Sequence, residues 1–394
     1  SGTISASNVG IDFDGARIRI VNDGEISGKS DAILLDEGEE GVGSNTILNT
    51  GKISATTGNA MDIAGGSNKI NNAGTISASS VGISLNGSND GHGHNVVINS
   101  GTVSGGDGAV FVGSLAGDVD GVHNSGTLQA MTLGIAETGF GSLYIANSGV
   151  IDSFDAVLFD SSGADSIDNS GTIIGSGLAI EELGTGKMTV VNTGHITGGI
   201  QFGDGGGTYN GVLGTVDGLV SGGAASDTIK GGADGENLSG GAGDDLIKGG
   251  TGDDVITGGA GADKLISGGG NNTFVYTAVT ESRSGPATHD TVVGFDALND
   301  VFDLEVAVTG VDKMVKAGTL DKSSFNTDMQ AMLPATALHA HHAVLVTPST
   351  GDLAGHTFLV VDDNGVAGFQ AGGDYVIELS QGVHLANLSV TNFI

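Results

Sequence analysis

The chain has 394 residues, enough for two or three domains, and carries 46 acidic against 13 basic residues, a formal net charge of -33. That imbalance excludes nucleic acid and anionic membrane surfaces as partners, since both demand a basic patch, and makes divalent cations the natural counter-charge. Cysteine is absent, which excludes disulfides and thiolate metal sites, and no apolar run is long enough for a transmembrane segment.

From residue 1 to about 215 the phrase Asn-x-Gly-x-(Ile, Val or Leu) recurs at Asn22, Asn49, Asn72, Asn99, Asn124, Asn147, Asn169 and Asn192, at intervals of 22 to 27 residues. Periods in this range predict a solenoid. Each repeat holds three short alternating segments, such as 51–54, 60–63 and 69–71, with Gly, Asn or Ser between them. Three strands per coil with turn residues at the corners describe a parallel β-helix; about nine coils at about 4.8 Å each make a rod roughly 40 Å long. With 73 glycines and no tryptophan, the composition suits such thin coils better than one thick core. The first residues, Ser1-Gly2-Thr3-Ile4-Ser5, match the middle of a repeat, so the chain is expected to begin inside a coil of a longer solenoid. The recurring asparagines predict a stacked amide ladder at one corner, a device that holds shape and not substrate.

Coil length varies at a single corner, where Asp36-Glu37-Gly38-Glu39-Glu40, Asn89-Asp90-Gly91-His92-Gly93-His94 and Gly117-Asp118-Val119-Asp120 are inserted. These insertions predict an acidic stripe that binds calcium or a neighbouring subunit, or else keeps the rod soluble and blocks edgewise stacking. His92 and His94 with Asp90 also carry donors suited to zinc or nickel. Arg17 and Arg19 alternate around Ile18 near Asp12 and Asp14, which points them outward into cross-strand charge pairs.

Between residues 222 and 275 a nine-residue phrase is repeated six times in register. Its sixth position reads Asp227, Glu236, Asp245, Asp254, Asp263 and Asn272, and its eighth Ile229, Leu238, Ile247, Ile256, Leu265 and Phe274. An oxygen ligand and an inward apolar residue therefore recur together. Two phrases make one coil of a parallel β-roll, with glycines supplying the turn conformations. Oxygen donors without nitrogen or sulfur suit calcium.

This pattern resembles the RTX (repeats-in-toxin) family. The resemblance implies one ladder of Asp227, Asp245 and Asp263 and another of Glu236, Asp254 and Asn272, with Asp234, Asp244 and Asp253 beside them and about four calcium ions between coils. Asp234 and Ala225 stand where glycines belong, Glu236 is longer than the usual ligand, and Asn272 is neutral, so the end sites are expected to be weaker.

Residues 277–394 lose both repeats. Asp290-Thr291-Val292-Val293-Gly294-Phe295-Asp296 and Asn299-Asp300-Val301-Phe302-Asp303-Leu304 resemble the segment that closes RTX rolls in secreted proteases and lipases. By that resemblance Asp290, Asp296, Asp300 and Asp303 bind a terminal calcium or cap the last coil. A helix is expected over 320–333, ended by Pro334, then strands at 343–346, 358–361 and 375–379 with a hairpin turn at 362–365. His339, His341 and His342 form either a metal cluster or an exposed connector. The stretch 358–379 is similar to a C-terminal domain of bacterial surface proteins, and the acidic C-terminus resembles an uncleaved type I secretion signal.

The expected fold is all-β: a right-handed parallel β-helix over 1–215, an RTX calcium β-roll over 216–276 and a mainly β C-terminal domain for capping, secretion or assembly over 277–394. The expected function is that of a calcium-dependent extracellular structural protein, exported by a type I system and self-associating into a lattice or oligomer as a surface layer on a bacterial cell. A repeat-rich adhesin or biofilm matrix protein is the alternative, with cell-surface polysaccharide or lipopolysaccharide as a further partner. A polysaccharide lyase or epimerase ranks lower: Tyr144, His123 and His195 fall on separate coils, and neither H-E-x-x-H nor G-x-S-x-G occurs, so no enzyme activity is expected.

Overall fold

The computed structural model describes residues 2–15, 17–36, 44–87, 93–285 and 288–394. Its regular structure is almost entirely β, with a single α-helix, Phe325–Met332, among the described residues. The chain divides into two compact units, Ser1–Leu219 and Val220–Ile394.

In the first unit the coils up to Asn169 contribute three strands each, as in Lys52–Ala55, Met61–Ala64 and Lys69–Asn72, and from Thr172 the first two run together, as in Thr172–Glu182. Every strand pairs in parallel with its counterpart one coil away. One such column runs through Ile26, Ile53, Ile76, Val103, Leu128, Ile151, Ile173 and Ile196. All of these are buried, because alternation along each strand sends every second side chain inward. Burying such a side chain is worth about 1.5–3 kcal/mol, so the column stabilises the stack coil by coil.

The expected amide ladder is present. Nδ2 of Asn22, Asn49, Asn72, Asn99, Asn124, Asn147 and Asn169 each donates to Oδ1 of the asparagine one coil on, at 2.8–2.9 Å, ending at Asn192. A second ladder stands four residues upstream at the next corner. There Asn45 Nδ2 donates to Asn68 Oδ1 at 2.9 Å and Asn68 Nδ2 to Asn95 Oδ1 at 3.0 Å. The backbone N–H of Asn95 then donates to Asp120 Oδ1 at 2.7 Å, so a carboxylate takes the amide's place.

That register corrects one expectation. Asp118 and Asp120 do not project from an acidic stripe; both are buried, with Asp118 accepting from the backbone N–H groups of Gly93 and Leu115. The companion acidic segments, Glu37 to Glu40 and Asn89 to His92, lie outside the described residues. Arg17 sits in a left-handed conformation outside any strand, and neither it nor Arg19 forms an ion pair among the described residues.

In the second unit the nonapeptides form strands that alternate between two parallel stacks. Thr228–Lys230, Leu246–Gly250, Lys264–Gly268 and Asp290–Val293 make one; Asn237–Ala242, Val255–Ala260, Thr273–Tyr276 and Val301–Leu304 make the other. The eighth-position residues form two files, Ile229-Ile247-Leu265-Val292 and Leu238-Ile256-Phe274-Phe302, with no exposed surface. Beyond the roll, His342–Val346, Phe358–Asp362 and Asp374–Ser380 pair antiparallel in sequence, and the last also pairs in parallel with Asp290–Val293. The hairpin forms, but its connection spans 363–373 instead of a tight turn at 362–365. The helix is shorter than expected; Leu320 and Leu333 flank it and join Phe325, Met329, Val344, Phe358 and Val376 in a common core.

Replacing Asn124 by Ala removes one rung: the Asn99 amide keeps its bonds to the carbonyls of Gly101 and Thr127 but loses the third, and the buried side-chain oxygen of Asn147 loses its donor. An orphaned group costs about 1–3 kcal/mol, so denaturant unfolding of the Asn124→Ala chain is expected at a lower midpoint by that order.

Candidate metal centre

The roll places its sixth-position residues so that the backbone N–H of one donates to the side-chain oxygen of the next coil. Asp227 donates to Asp245 Oδ1 at 2.7 Å, Asp245 to Asp263 Oδ1 at 2.8 Å and Asp263 to Asp290 Oδ1 at 2.9 Å. On the other side Glu236 donates to Asp254 Oδ1 at 2.9 Å, Asp254 to Asn272 Oδ1 at 3.1 Å and Asn272 to Asp300 Oδ1 at 2.9 Å. Both implied ladders are thus continuous in space, and Asp290 and Asp300 extend them by one rung each.

The N–H bonds that run from coil to coil occupy only one oxygen of each carboxylate that accepts them. Glu236 Oε2 and the Oδ2 atoms of Asp245, Asp254, Asp263 and Asp290 are buried and receive no hydrogen bond among the described residues. Glycine makes room for them: a Cβ at Gly240 would fall on Asp245 Oδ2, and one at Gly249 on Asp254 Oδ2. A buried carboxylate oxygen without a donor is costly unless a cation meets it. Oxygen-only donors, aligned and unpartnered, fit calcium, for which the aspartates and Glu236 would supply the charged ligands.

The electrostatics agree. Burial pushes Glu236 up to about 7, Asp245 up to about 7, Asp263 up to about 6 and Asp290 up to about 8, with neighbouring carboxylates adding to the rise. Burial likewise raises Asp254 and Asp300 above the usual carboxylate range.

The other expected ligands take different places. Asp234, Asp244 and Asp253 are exposed at the turns, where Asp244 Oδ1 accepts the N–H of Ala262 and Asp253 Oδ1 that of Asn271. Asp296 accepts the N–H of Leu298 and faces His384 Nδ1 at 2.8 Å, while its own N–H donates to Asp300 Oδ2 at 2.8 Å. It therefore positions Asp300. Asp303 lies half-buried on the strand face opposite Phe302 and Leu304, away from the ladders.

Two further groupings emerge. Asp312 Oδ1 meets His339 Nδ1 at 2.7 Å and His342 Nδ1 at 3.2 Å, so Asp312 joins two of the three histidines singled out in the sequence. His341 turns away, with φ at 56° and its N–H on Asp362 Oδ1. As placed, the two imidazoles and the carboxylate satisfy one another. In the first unit His123 and Tyr144, on neighbouring coils, pack edge to face with ring centroids 5.8 Å apart. Tyr144 also donates to Asp168 Oδ2 at 2.8 Å, and His123 and Asp168 line an outer groove of about 560 Å³. His195 is held separately by Thr215 and Asp217.

Residues 217–247 and 239–274 match the RTX calcium-binding nonapeptide repeat, which binds calcium and is typical of secreted proteins. The chain is similar over 43% of its length to 78% of the AlgE6R3 subunit from the Azotobacter vinelandii mannuronan C5-epimerase, at 26% identity and a TM-score of 0.28. It is similar over 45% of its length to 90% of the AlgE6R2 subunit of the same enzyme, at 24% identity and a TM-score of 0.29. No curated protein matches the chain. Among the described residues no helix is long and apolar enough to cross a membrane.

Carboxylates raised to between about 6 and 8 keep their protons in the metal-free fold only below those pH values, and above them they are charged and repel. Their contribution to stability is present below the usual carboxylate range, near pH 4, and is lost as pH rises through 6–8. The metal-free roll is therefore expected to be more stable at pH 5 than at pH 8. Calcium needs the charged forms, so its midpoint for folding the roll should rise at least about tenfold between pH 8 and pH 5.5, read by circular dichroism. Gly240→Ala, which crowds Asp245 Oδ2, is expected to weaken calcium binding by about tenfold or more by isothermal titration.

Proposed function

We propose that this chain is a calcium-dependent structural protein of the bacterial cell surface that folds after export and self-associates there. The observation that carries this reading is the file of buried carboxylate oxygens in the roll that have no partner among the described residues. Without calcium the carboxylates repel, and the glycine-rich segment stays unfolded in a calcium-poor cytoplasm, a state suited to passage through a type I channel. Outside, calcium at about 10⁻⁴ to 10⁻³ M would load such sites, and binding becomes folding. The net charge of -33 supports calcium bridging between acidic surfaces of neighbouring molecules, which would turn folded copies into a layer. On this reading the chain holds shape and performs no catalysis.

A second reading rests on the outer groove of the first unit. His123 and Asp168 line it, and Tyr144 holds both, packing edge to face on His123 and donating to Asp168, an arrangement suited to stacking on and hydrogen bonding to a sugar. That favours an adhesin or matrix role with a cell-surface polysaccharide as partner.

A calcium titration from chelator to about 10 mM, followed by circular dichroism and light scattering, tests the main reading. Gain of β-structure followed by large ordered particles at higher calcium is expected. Saturated folding with single particles at high protein concentration would remove self-assembly from the proposal. In that case polysaccharide binding lost in Tyr144→Ala would favour the second reading.

A further inference from the structure

Three carboxylates of the first unit are shut away from water. Glu137 is 0% exposed, Asp165 1% and Glu182 2%. Glu137 and Glu182 stand in one column of the stack, two coils apart with Phe159 between them. Asp165 comes within hydrogen-bonding reach of both. Among the described residues, none of the three is paired with a lysine, arginine or histidine.

Their polar surroundings are oxygen-rich. Ser114 Oγ donates to Glu137 Oε1, and Ser161 Oγ donates to Asp165 Oδ2 at 2.7 Å. The N–H of Leu143 donates to Asp165 Oδ1 at 2.7 Å, and the N–H of Gly184 to Glu182 Oε1 at 2.8 Å. Glu137 Oε2 and Glu182 Oε2 are buried and receive no hydrogen bond among the described residues. Ser114 and Ser161 are themselves buried, at 2% and 3% exposure. The bond from Leu143 to Asp165 repeats the device of the roll, a backbone N–H on one carboxylate oxygen one coil along.

We propose that a calcium ion binds inside the β-helix between Glu137 and Asp165, with the hydroxyls of Ser114 and Ser161 as neutral ligands and Glu182 as the flanking charge. Two carboxylates and two hydroxyls offer up to about six oxygens, the lower end of the calcium range of about six to eight. Magnesium fits less well, because it keeps several waters and this site is closed to solvent. The competing occupant is a proton. Burial pushes Glu137 up to about 8 and Glu182 up to about 7, so a shared proton between Glu137 and Asp165 would also relieve the repulsion. The site lies outside the nonapeptides and stands independently of the roll.

Glu137→Gln separates the two occupants. Its amide can still donate to Asp165, which preserves a shared-proton geometry, but it removes the charge a cation needs. Bound calcium is counted by equilibrium dialysis of the full chain at saturation, in the unchanged protein, in Glu137→Gln and in Asp165→Asn. Each variant is expected to hold one ion fewer per chain, and Glu137→Gln is expected to remove that same further ion when combined with Asp245→Asn in the roll. An unchanged count in Glu137→Gln overturns the proposal. Where a charge variant fails to fold, Ser114→Ala and Ser161→Ala are read instead. A roughly tenfold loss of affinity in one class of calcium, with the circular dichroism spectrum retained, is expected; unchanged affinity in both overturns it.

Discussion

A parallel solenoid places each side chain about 4.8 Å from its counterpart in the next coil, so any residue repeated in register must tolerate its own copy. An amide does so, because it donates and accepts at once. Asn22 through Asn192 accordingly form a closed chain of bonds that needs nothing from outside. A carboxylate cannot, since two stacked carboxylates offer acceptors and like charge. Substituting Asp for Asn at a ladder position therefore changes a self-sufficient corner into one that requires a cation or a proton.

The two units use this difference to different ends. In the first, amides predominate at the corners, and the buried files of Ile, Val and Leu carry the stack. In the second, the roll has thin files of one apolar residue per nonapeptide, and its corners carry Asp245, Asp254, Asp263 and Asp290, each with one oxygen that has no partner among the described residues. The roll therefore depends on metal where the β-helix depends on packing. The closing segment serves both needs. Asp290 and Asp300 extend the acidic ladders, and Phe295 and Phe302 stack at 4.7 Å to finish the apolar file.

The same chemistry connects folding to location. Glycines at Gly240 and Gly249 leave no atom between backbone and carboxylate, so the space is shaped for an ion before one arrives. Raised carboxylate pKa values record the cost of that arrangement in the absence of metal. A roll built this way gains its stability from the calcium that its carboxylates bind.

Much of this was legible in the residue order. Register repeats declare themselves in one dimension: the Asn-x-Gly phrase predicted both the three-stranded coil and its amide ladder, and the nonapeptide predicted the two acidic ladders and the calcium family they resemble. The helix and the three late strands were also visible, because their apolar patterns are local. What only the tertiary structure decided were contacts between residues whose separation follows no single period. Asp118 and Asp120 look like a solvated acidic insertion until the coil register turns them inward beneath Asn95. A signal existed, since Asn45, Asn68, Asn95, Asp120 and Asp165 each stand four residues before a ladder asparagine. Glu137 and Glu182 carried no such mark; they share one column, with Phe159 between them, only because coils of unequal length stack in that register. Asp312 meets His339 and His342 because the parallel pairing of Gly310-Val311 with His342-Ala343 carries it there, a crossing that composition and spacing do not encode.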